Sequence, residues 1–443
     1  MTKYLVYIIG LCLFCSCSDS TPGEEPPVTP PEPTPTITIS KPEFVFGFTG
    51  ESKYSYCPSA LKQEDGSVHL FFCGNPENQI MVDNIFHIKI NPDGSQTAPK
   101  SVLQPGIAGT WDDHHTCDPS VIEGSFSWNN VTYKYAMFFL SNMYGVYYNE
   151  IGVAFSNSLD ADSWVKYPKQ IVRKTWSDDG DQEIGGGGKS WGVGQPSVVS
   201  LDKKGKVLLT YTIGDIGGTR IACAEADFSN MDSYTISTPM TIVQSGLLAI
   251  DNQSRDYTCN SEFAINQDAD KIVMIRPVQP MPNDYPAYLN SALEIDYMNL
   301  SDFMNQSGSW TPIYRITPDD TGYPRNHNAT LLRDNFGHLQ DWEERCCFVW
   351  INFQVNVYIG LFFELIEHDK LAGFAGIIAE DGEGVISLVY QRKTFLIHNA
   401  VYFSVLIHGV VCCGCCGCCR STLCRAASII TSTSGKHRLQ STV

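Results

Sequence analysis

Asp118-Pro119-Ser120-Val121-Ile122 is the stretch that decides the fold, because altered copies of it recur along the chain. The copies read Cys57-Pro58-Ser59-Ala60-Leu61, Gln195-Pro196-Ser197-Val198-Val199, Glu262-Phe263-Ala264-Ile265 and His327-Asn328-Ala329-Thr330-Leu331. Their first residues are roughly 60 to 80 positions apart, and such spacing is typical of a repeat architecture. We therefore treat Cys57, Asp118, Gln195, Glu262 and His327 as the lead residues of five repeats.

Further apolar runs follow the copies, separated by polar turns such as Asp65-Gly66 and Asn91-Pro92-Asp93-Gly94. Several short strands joined by turns, without a long amphipathic helical run, indicate β-propeller blades. The sequence therefore predicts an all-β fold, a five-bladed β-propeller. The predicted strands are Val68–Cys73, Ile85–Ile90, Tyr133–Leu140, Ile151–Phe155, Val207–Ile213, Arg220–Ala224 and Ile272–Ile275.

The overall charge excludes one large class of partner. The chain has 443 residues and a net charge of −18. Binding to nucleic acid needs a basic face that neutralises phosphates, so no nucleic-acid partner is expected. An aromatic content of 12%, with 36 glycines and 24 prolines, suits a protein of strands and turns.

The N-terminus has the pattern of an export signal. Lys3 precedes an apolar run, Tyr4–Phe14, that is too short to span a bilayer. The segment 1–17 resembles a bacterial lipoprotein signal with Cys17 as the lipidated residue, and a simple secretory peptide is the alternative. A Pro-rich linker follows over 18–40, since such a segment cannot bury a core. These features predict an exported protein, lipid-anchored in the bacterial cell envelope and most simply in the outer membrane.

The composition changes after Arg345. The propeller is predicted over 41–345, and 346–443 is a Cys-rich tail that contains paired cysteines without zinc-site spacing. We interpret this tail as non-native or out of frame. In the alternative, Cys347–Leu365 supplies the missing strands of the last blade. The five cysteines between these terminal segments are an odd number, which favours free buried thiols.

The lead residues are candidates for catalysis, because the innermost strand of each propeller blade lines the central axis. Asp118 and Glu262 come from blades two apart, so they can face each other across a sugar-sized gap. Two carboxyl groups flanking a scissile bond are the minimum for glycoside hydrolysis. His115 and His327 are further acid–base candidates, and His327 is also a candidate metal ligand.

Each of these residues also has a structural interpretation. Asp-Pro commonly starts a turn, so Asp118 can be a turn residue. Glu262 can form an ion pair with Arg276, and His114 and His115 can hydrogen-bond to neighbouring loops. The candidate substrate-binding residues, with aromatic platforms for sugar rings among them, are Trp111, Asp113, His114, Trp191, Gln195 and Arg325.

The repeated x-P-S-V strand and the later segment Asn149–Leu159 resemble the five-bladed propeller glycoside hydrolases of families 43 and 32. The resemblance implies a carbohydrate substrate, no required cofactor and a structural Ca²⁺ on the propeller axis near His327. It also implies an Asp on the first blade, an Asp on the second and a Glu on the third. Only Asp118 matches, since Cys57 and Gln195 occupy the other two positions.

Two functions follow from this pattern. The first is a glycoside hydrolase that acts on a poly- or oligosaccharide in an axial pocket. The second is a non-catalytic glycan-binding surface lipoprotein, which the replacements at Cys57 and Gln195 favour.

Overall fold

The structure is a computed structural model. It describes residues 36–39, 43–48, 53–77, 83–145, 148–173, 183–184, 188–189, 191–215, 218–284, 287–339, 345–352 and 357–365. All of them belong to the first of two compact units, Met1–Leu371. The second unit, Ala372–Val443, lies outside the described residues, as do the signal segment 1–17 and Cys17.

Strands dominate the described residues. The first twelve are β1 Thr36–Ile39, β2 Glu43–Phe46, β3 Tyr54–Lys62, β4 Val68–Asn75, β5 Asn84–Ile90, β6 Lys100–Leu103, β7 His115–Trp128, β8 Val131–Asn142, β9 Glu150–Ser156, β10 Val165–Lys166, β11 Glu183–Ile184 and β12 Gly188–Lys189. The next seven are β13 Gly192–Ser200, β14 Lys206–Asp215, β15 Gly218–Asp227, β16 Thr235–Ile236, β17 Met240–Thr241, β18 Glu262–Asn266 and β19 Lys271–Pro277. The last elements are β20 Leu293–Asn299, α1 Leu300–Met304, β21 Thr311–Ile316, α2 Pro318–Thr321, β22 Asn326–Arg333, β23 His338–Leu339, β24 Arg345–Asn352 and β25 Val357–Leu365.

The strands form antiparallel meanders. One sheet has the order β10-β9-β8-β7, another has β13-β14-β15-β16, and a third has β21-β20-β19-β18-β23. A nine-stranded sheet follows the order β1-β25-β24-β22-β3-β4-β5-β6, with β2 also paired to β25. Within it, β22 pairs in parallel with β3, at Leu332 with Ala60 and at Arg333 with Leu61. The first and last meanders of the propeller are therefore joined into one sheet.

The inner strands close a ring. Contacts run from β3 to β7, then to β13, β18 and β22, and the pairing of β22 with β3 completes the circle. The all-β propeller that the sequence predicts is confirmed by this arrangement, and the predicted strands each lie within an observed one. The predicted number of five blades is not confirmed, because the described strands form four extended sheets rather than five.

Side-chain hydrogen bonds connect the inner strands at the third position of each repeat. The backbone N–H of Val121 donates to Oγ of Ser59 (3.3 Å) and that of Val198 donates to Oγ of Ser120 (3.1 Å). A third bond of this kind, from the N–H of Phe263 to Oγ of Ser197, spans 2.9 Å. The serine of the x-P-S motif is thus explained, since it satisfies a buried donor of the next sheet.

The hydrophobic core lies between adjacent sheets. Phe71, Phe139 and Trp164 pack between the first and second meanders of the propeller, and Phe263 and Trp310 belong to the layer between the third and fourth. All five side chains are buried. Because this packing occupies the space between sheets, the space at the axis is lined by residues of the repeated motif.

The segments that flank the propeller also contribute strands. Thr36–Ile39, part of the expected linker, pairs with β25. The strand β24 begins at Arg345, pairs with β22 and is followed by β25. Residues 345–352 and 357–365 therefore extend the meander of the last repeat, as in the alternative interpretation of the tail. Among the described residues, no helix is long and apolar enough to cross a membrane.

Candidate functional site

One residue in each copy of the motif has a left-handed backbone, and this feature defines the lead positions. The five are Cys57 (φ 45°), Asp118 (φ 52°), Gln195 (φ 50°), Asn260 (φ 51°) and Asn328 (φ 46°). In β3, β7, β13 and β22 the pairing shifts at this point, between residues 56 and 59, 117 and 120, 194 and 197, and 327 and 330. An extra residue at such a bulge turns the side chain away from the regular pleat.

This alignment corrects two of the lead residues expected from the sequence. The fourth repeat reads Asn260-Ser261-Glu262, so Glu262 occupies the serine position of the motif rather than its first position. The fifth repeat reads Asn328-Ala329-Thr330, so His327 lies one residue before the lead position. The physical reason is that backbone conformation, not the apolar run after the motif, sets the register of the repeat.

All five lead residues line a single axial cavity. The empty space within it, open solvent at its mouth included, is about 350 Å³. Two buried amide oxygens of its lining, Oε1 of Gln195 and Oδ1 of Asn328, have no hydrogen-bond partner within the described part of the chain. The lining comprises Cys57, Pro58, Asp118, Pro119, Gln195, Pro196, Asn260, Ser261, Glu262, Asn328 and Ala329.

Asp118 is a buried carboxyl group in the wall of this cavity. Its backbone N–H donates to Sγ of Cys73 at 2.7 Å, and the Cys73 thiol donates to Oδ1 at 3.8 Å. Burial raises the pKa of Asp118 to about 6, against the opposing effect of a hydrogen bond from Cys57. Desolvation disfavours the charged form, which is why the shift is upward.

Glu262 also lines the cavity, but both of its carboxylate oxygens are bound by neighbouring residues of the protein. Oε1 lies 2.7 Å from Nη2 of Arg333, and the backbone N–H of Leu331 donates to Oε2 at 2.6 Å. The hydroxyl of Thr330 also donates to Oε2. Burial raises the pKa of Glu262, and the charge of Arg333 opposes that shift. Arg333 and not Arg276 is therefore the ion-pair partner; Arg276 binds Asp256, Glu294 and Asp296 instead.

His327 is buried beside the axis. Nε2 lies 3.0 Å from the side-chain amide nitrogen of Asn260, and the backbone N–H of Asn290 donates to Nδ1 at 3.4 Å. Burial lowers the pKa of His327 to about 4. The ring is therefore neutral at pH 7, and a neutral imidazole accepts a hydrogen bond at only one of these two nitrogens.

The histidines and the aspartate that precede Asp118 lie further from the cavity. Nδ1 of His115 is 3.4 Å from Oδ2 of Asp83, and its buried Nε2 has no partner among the described residues. His114 contacts the rings of His115 and Tyr144. Asp113 accepts the backbone N–H groups of Tyr144 (2.7 Å) and Gly109 (2.6 Å), which lower its pKa. Asp113 therefore braces its own loop.

The remaining predicted substrate-binding residues, apart from Gln195, do not line the cavity. Trp111 stacks on Phe139, with ring centroids 6.0 Å apart. Trp191 is half-buried and packs against a cluster of Leu140 and three cysteines, Cys57, Cys73 and Cys117. Nη2 of Arg325 is 2.9 Å from a carboxylate oxygen of Asp284. The structure therefore brings Asp118, Gln195 and Glu262 to one cavity, with His327 directly behind it.

Sequence reasoning missed several residues of the site. Asn260 and Asn328 follow from aligning each repeat on its first residue, and asparagine is a residue type that tolerates the left-handed conformation. Cys73 lies on β4, Asp83 precedes β5 and Arg333 ends β22, and none of the three belongs to a copy of the motif. Asp83 accepts the hydroxyl groups of Tyr54 (2.5 Å) and Tyr56 (2.8 Å).

Comparisons with known proteins give structural matches only: no family model and no curated protein matches this chain. One similar solved structure is a family 117 glycoside hydrolase of Zobellia galactanivorans, at 10% identity and a TM-score of 0.47, covering 74% of this chain and 90% of that one. Another is the catalytic domain of a family 62 α-L-arabinofuranosidase of Coprinopsis cinerea, at 10% identity and a TM-score of 0.48, covering 74% and 96%. A third is the family 43 endo-arabinanase of Bacillus licheniformis, at 14% identity and a TM-score of 0.42, covering 73% and 98%.

Proposed function

We propose that this protein is a glycoside hydrolase that acts on a poly- or oligosaccharide in its axial cavity. The observation that supports it is the cavity lining, in which a buried carboxyl group, Asp118, lies near amide oxygens of Gln195 and Asn328 that have no hydrogen-bond partner among the residues the structure describes. Sugar hydroxyls donate hydrogen bonds, so they would satisfy those oxygens, which otherwise cost free energy when buried.

The proposed chemistry needs two groups that exchange protons with the substrate. Asp118 would be one, because it lines the cavity. Glu262 would be the second carboxyl group, held in place by Arg333 and by the N–H of Leu331. General acid and base groups each contribute roughly 10²- to 10⁴-fold to the rate.

A second candidate function is glycan binding without hydrolysis. The engagement of both oxygens of Glu262 by Arg333, Thr330 and Leu331 favours it, because a carboxylate held in this way has a structural role. Asp118 would then be the one remaining carboxyl group among the described lining residues, and one carboxyl group does not provide both an acid and a base.

The two functions separate in one experiment on the full chain. Binding and release of reducing ends are measured on a panel of plant and host glycans, for the wild type and for Asp118→Asn. Hydrolysis predicts a loss of about 10²-fold or more in rate with binding nearly unchanged. The control is Asp232→Asn, an exposed loop residue. Binding without any cleavage supports the second function. If the wild type neither binds nor cleaves any glycan of the panel, both functions are contradicted.

We further propose that the propeller has five blades. In this count the strands β3–β6 form one blade and the strands β22, β24 and β25 form another, although β22 and β3 pair in parallel within one sheet. We also propose export and lipid anchoring through Cys17 to the bacterial outer membrane. Radiolabelled fatty acid should be incorporated by the wild type and not by Cys17→Ser. Equal incorporation would contradict the anchor.

A further inference from the structure

Three buried thiols meet beside Asp118, on the strands of two different meanders. Cys57 lies on β3, Cys73 on β4 and Cys117 on β7, and they form one cluster with Leu140. All three thiols are free. Cys57 also lines the axial cavity, so the cluster has a polar entrance from solvent.

Three donor atoms of this cluster are spaced as the ligands of one ion. A sulfur of Cys57, a sulfur of Cys73 and a carboxylate oxygen of Asp118 all lie within 4.8 Å of one another. Sγ of Cys73 is 3.8 Å from Oδ1 of Asp118. Zinc bonds of about 2.3 Å to sulfur and about 2.0–2.2 Å to oxygen place tetrahedral ligands roughly 3.5 Å apart, close to this separation.

Nitrogen donors contact both sulfurs. The side-chain amide of Asn328 donates to Sγ of Cys57 at 2.7 Å, and the backbone N–H of Asp118 donates to Sγ of Cys73 at 2.7 Å. Hydrogen bonds of this kind orient metal ligands and stabilise their charge. Both donors belong to the lead positions of the repeat, so the fold itself positions them.

A second group, Asp83, His115 and Cys117, also has donor atoms within 4.8 Å. Its carboxylate already accepts the hydroxyls of Tyr54 and Tyr56. A metal there would compete with both, so the first group is the better site.

Calcium does not fit these donors. Ca²⁺ takes six to eight oxygen ligands, whereas the first group offers two sulfurs and one carboxylate. Sulfur ligands select softer ions such as Zn²⁺.

We propose that Cys57, Cys73 and Asp118 bind a thiophilic divalent cation, with Zn²⁺ as the ion to test, and that the remaining ligand position opens to the axial cavity. This site does not depend on the proposed function, because it rests on the donor atoms alone. Asp118 is common to both, so a bound ion and an entering sugar would exclude each other at this residue.

Zinc binding is measured on the full chain by competition with a chromophoric chelator, after removal of metal under reducing conditions. The tail also holds cysteines, so the informative quantity is the difference between the wild type and each variant. Cys57→Ser and Cys73→Ser should each remove one high-affinity zinc site or weaken its affinity at least about 100-fold. A loss of about 100-fold is the most that removal of a hydrogen bond to a metal ligand usually causes. Asp118→Asn should weaken it as well, and Cys223→Ser, a buried free thiol outside the cluster, should not.

Cadmium provides a second readout, an absorption band of the bound metal. Cd²⁺ added to the wild type should give an ultraviolet sulfur-to-metal charge-transfer band that Zn²⁺ displaces and Ca²⁺ does not. The part of that band lost in Cys57→Ser should be larger than the part lost in Cys223→Ser. Zinc affinity within about 3-fold of the wild type in both Cys57→Ser and Cys73→Ser would overturn the proposal. Recovery of a Cys57–Cys73 disulfide-linked peptide from protein isolated without reductant would also overturn it.

Discussion

The carboxylate of Glu262 and the guanidinium of Arg333 lie 2.7 Å apart, and the side chain of Arg333 is fully buried. The arginine also donates through Nη1 to the carbonyl oxygens of Phe263 (2.9 Å) and Val198 (3.3 Å). Arg333 is on β22, Phe263 is on β18 and Val198 is on β13, so this pair ties three inner strands together beside the axis.

Glu262→Gln should destabilise the protein, because the buried charge of Arg333 would lose its counter-ion. Breaking a buried ion pair from one side typically costs about 3–5 kcal/mol. The free energy of unfolding from a denaturant titration measures the loss, and Glu225→Gln, an exposed carboxylate on β15, should change it by less than about 0.5 kcal/mol. A variant that keeps full stability but loses hydrolysis would instead assign Glu262 to catalysis.

Ser197→Ala should weaken the joint between the third and fourth meanders. The N–H of Phe263 would remain buried without its acceptor, at a cost of about 1–3 kcal/mol. Ser233→Ala, at an exposed turn, is the matched control and should be neutral. The result to look for is a lower midpoint of chemical unfolding with an unchanged denaturant slope. Equal midpoints for the two variants would mean that the serine of the motif does not stabilise the ring.

The stability of the fold should fall in acid partly through His327. Its pKa is about 4 in the folded protein and about 6.5 when unfolded, so between these values the unfolded state binds more protons. This contribution is fully present above pH 6.5 and is lost as the pH falls towards 4, up to about 3 kcal/mol. His327→Gln should flatten that part of the profile, and His338→Gln, a half-buried ring, should not. Parallel profiles for the wild type and His327→Gln would contradict a buried neutral ring.

Gln195 should accept asparagine more readily than valine. Its φ of 50° lies in the left-handed region, which asparagine tolerates and a β-branched residue does not. Gln195→Val should cost at least about 1–2 kcal/mol in the free energy of unfolding, and Gln195→Asn should cost nothing or add stability. Two variants of equal stability would show that the bulge relaxes when the side chain changes.

The sequence was sufficient for the class of fold because the repeat has a local signal. A proline and a serine precede an apolar run in three copies, and each predicted strand is itself apolar and bounded by turns. The number of separate sheets could not be predicted in this way. It depends on the parallel pairing of Leu332 and Arg333 with Ala60 and Leu61, and these partners are some 270 residues apart in the chain.

The candidate site was predicted only in part. Asp118 and Gln195 carry the full motif, and both line the cavity. The fourth and fifth copies lack the proline, so only the apolar run was available to align them with the other copies. As a result the predicted lead residue was two positions too late in the fourth copy, at Glu262, and one position too early in the fifth, at His327. Cys73 was not predictable because its role comes from lying next to Asp118 in space, on a strand of another meander.

The left-handed residues have a consequence for how the cavity can be altered. Each lead residue has a left-handed backbone, whereas Ser59, Ser120 and Ser197, two positions further on, hold the neighbouring sheets together. In the first three repeats the lining of the cavity and the joint between sheets therefore use separate positions of one five-residue motif. The side chains around the axis can therefore be changed one repeat at a time. Asparagine, aspartate and glycine are the substitutions that cost least free energy at a left-handed backbone position.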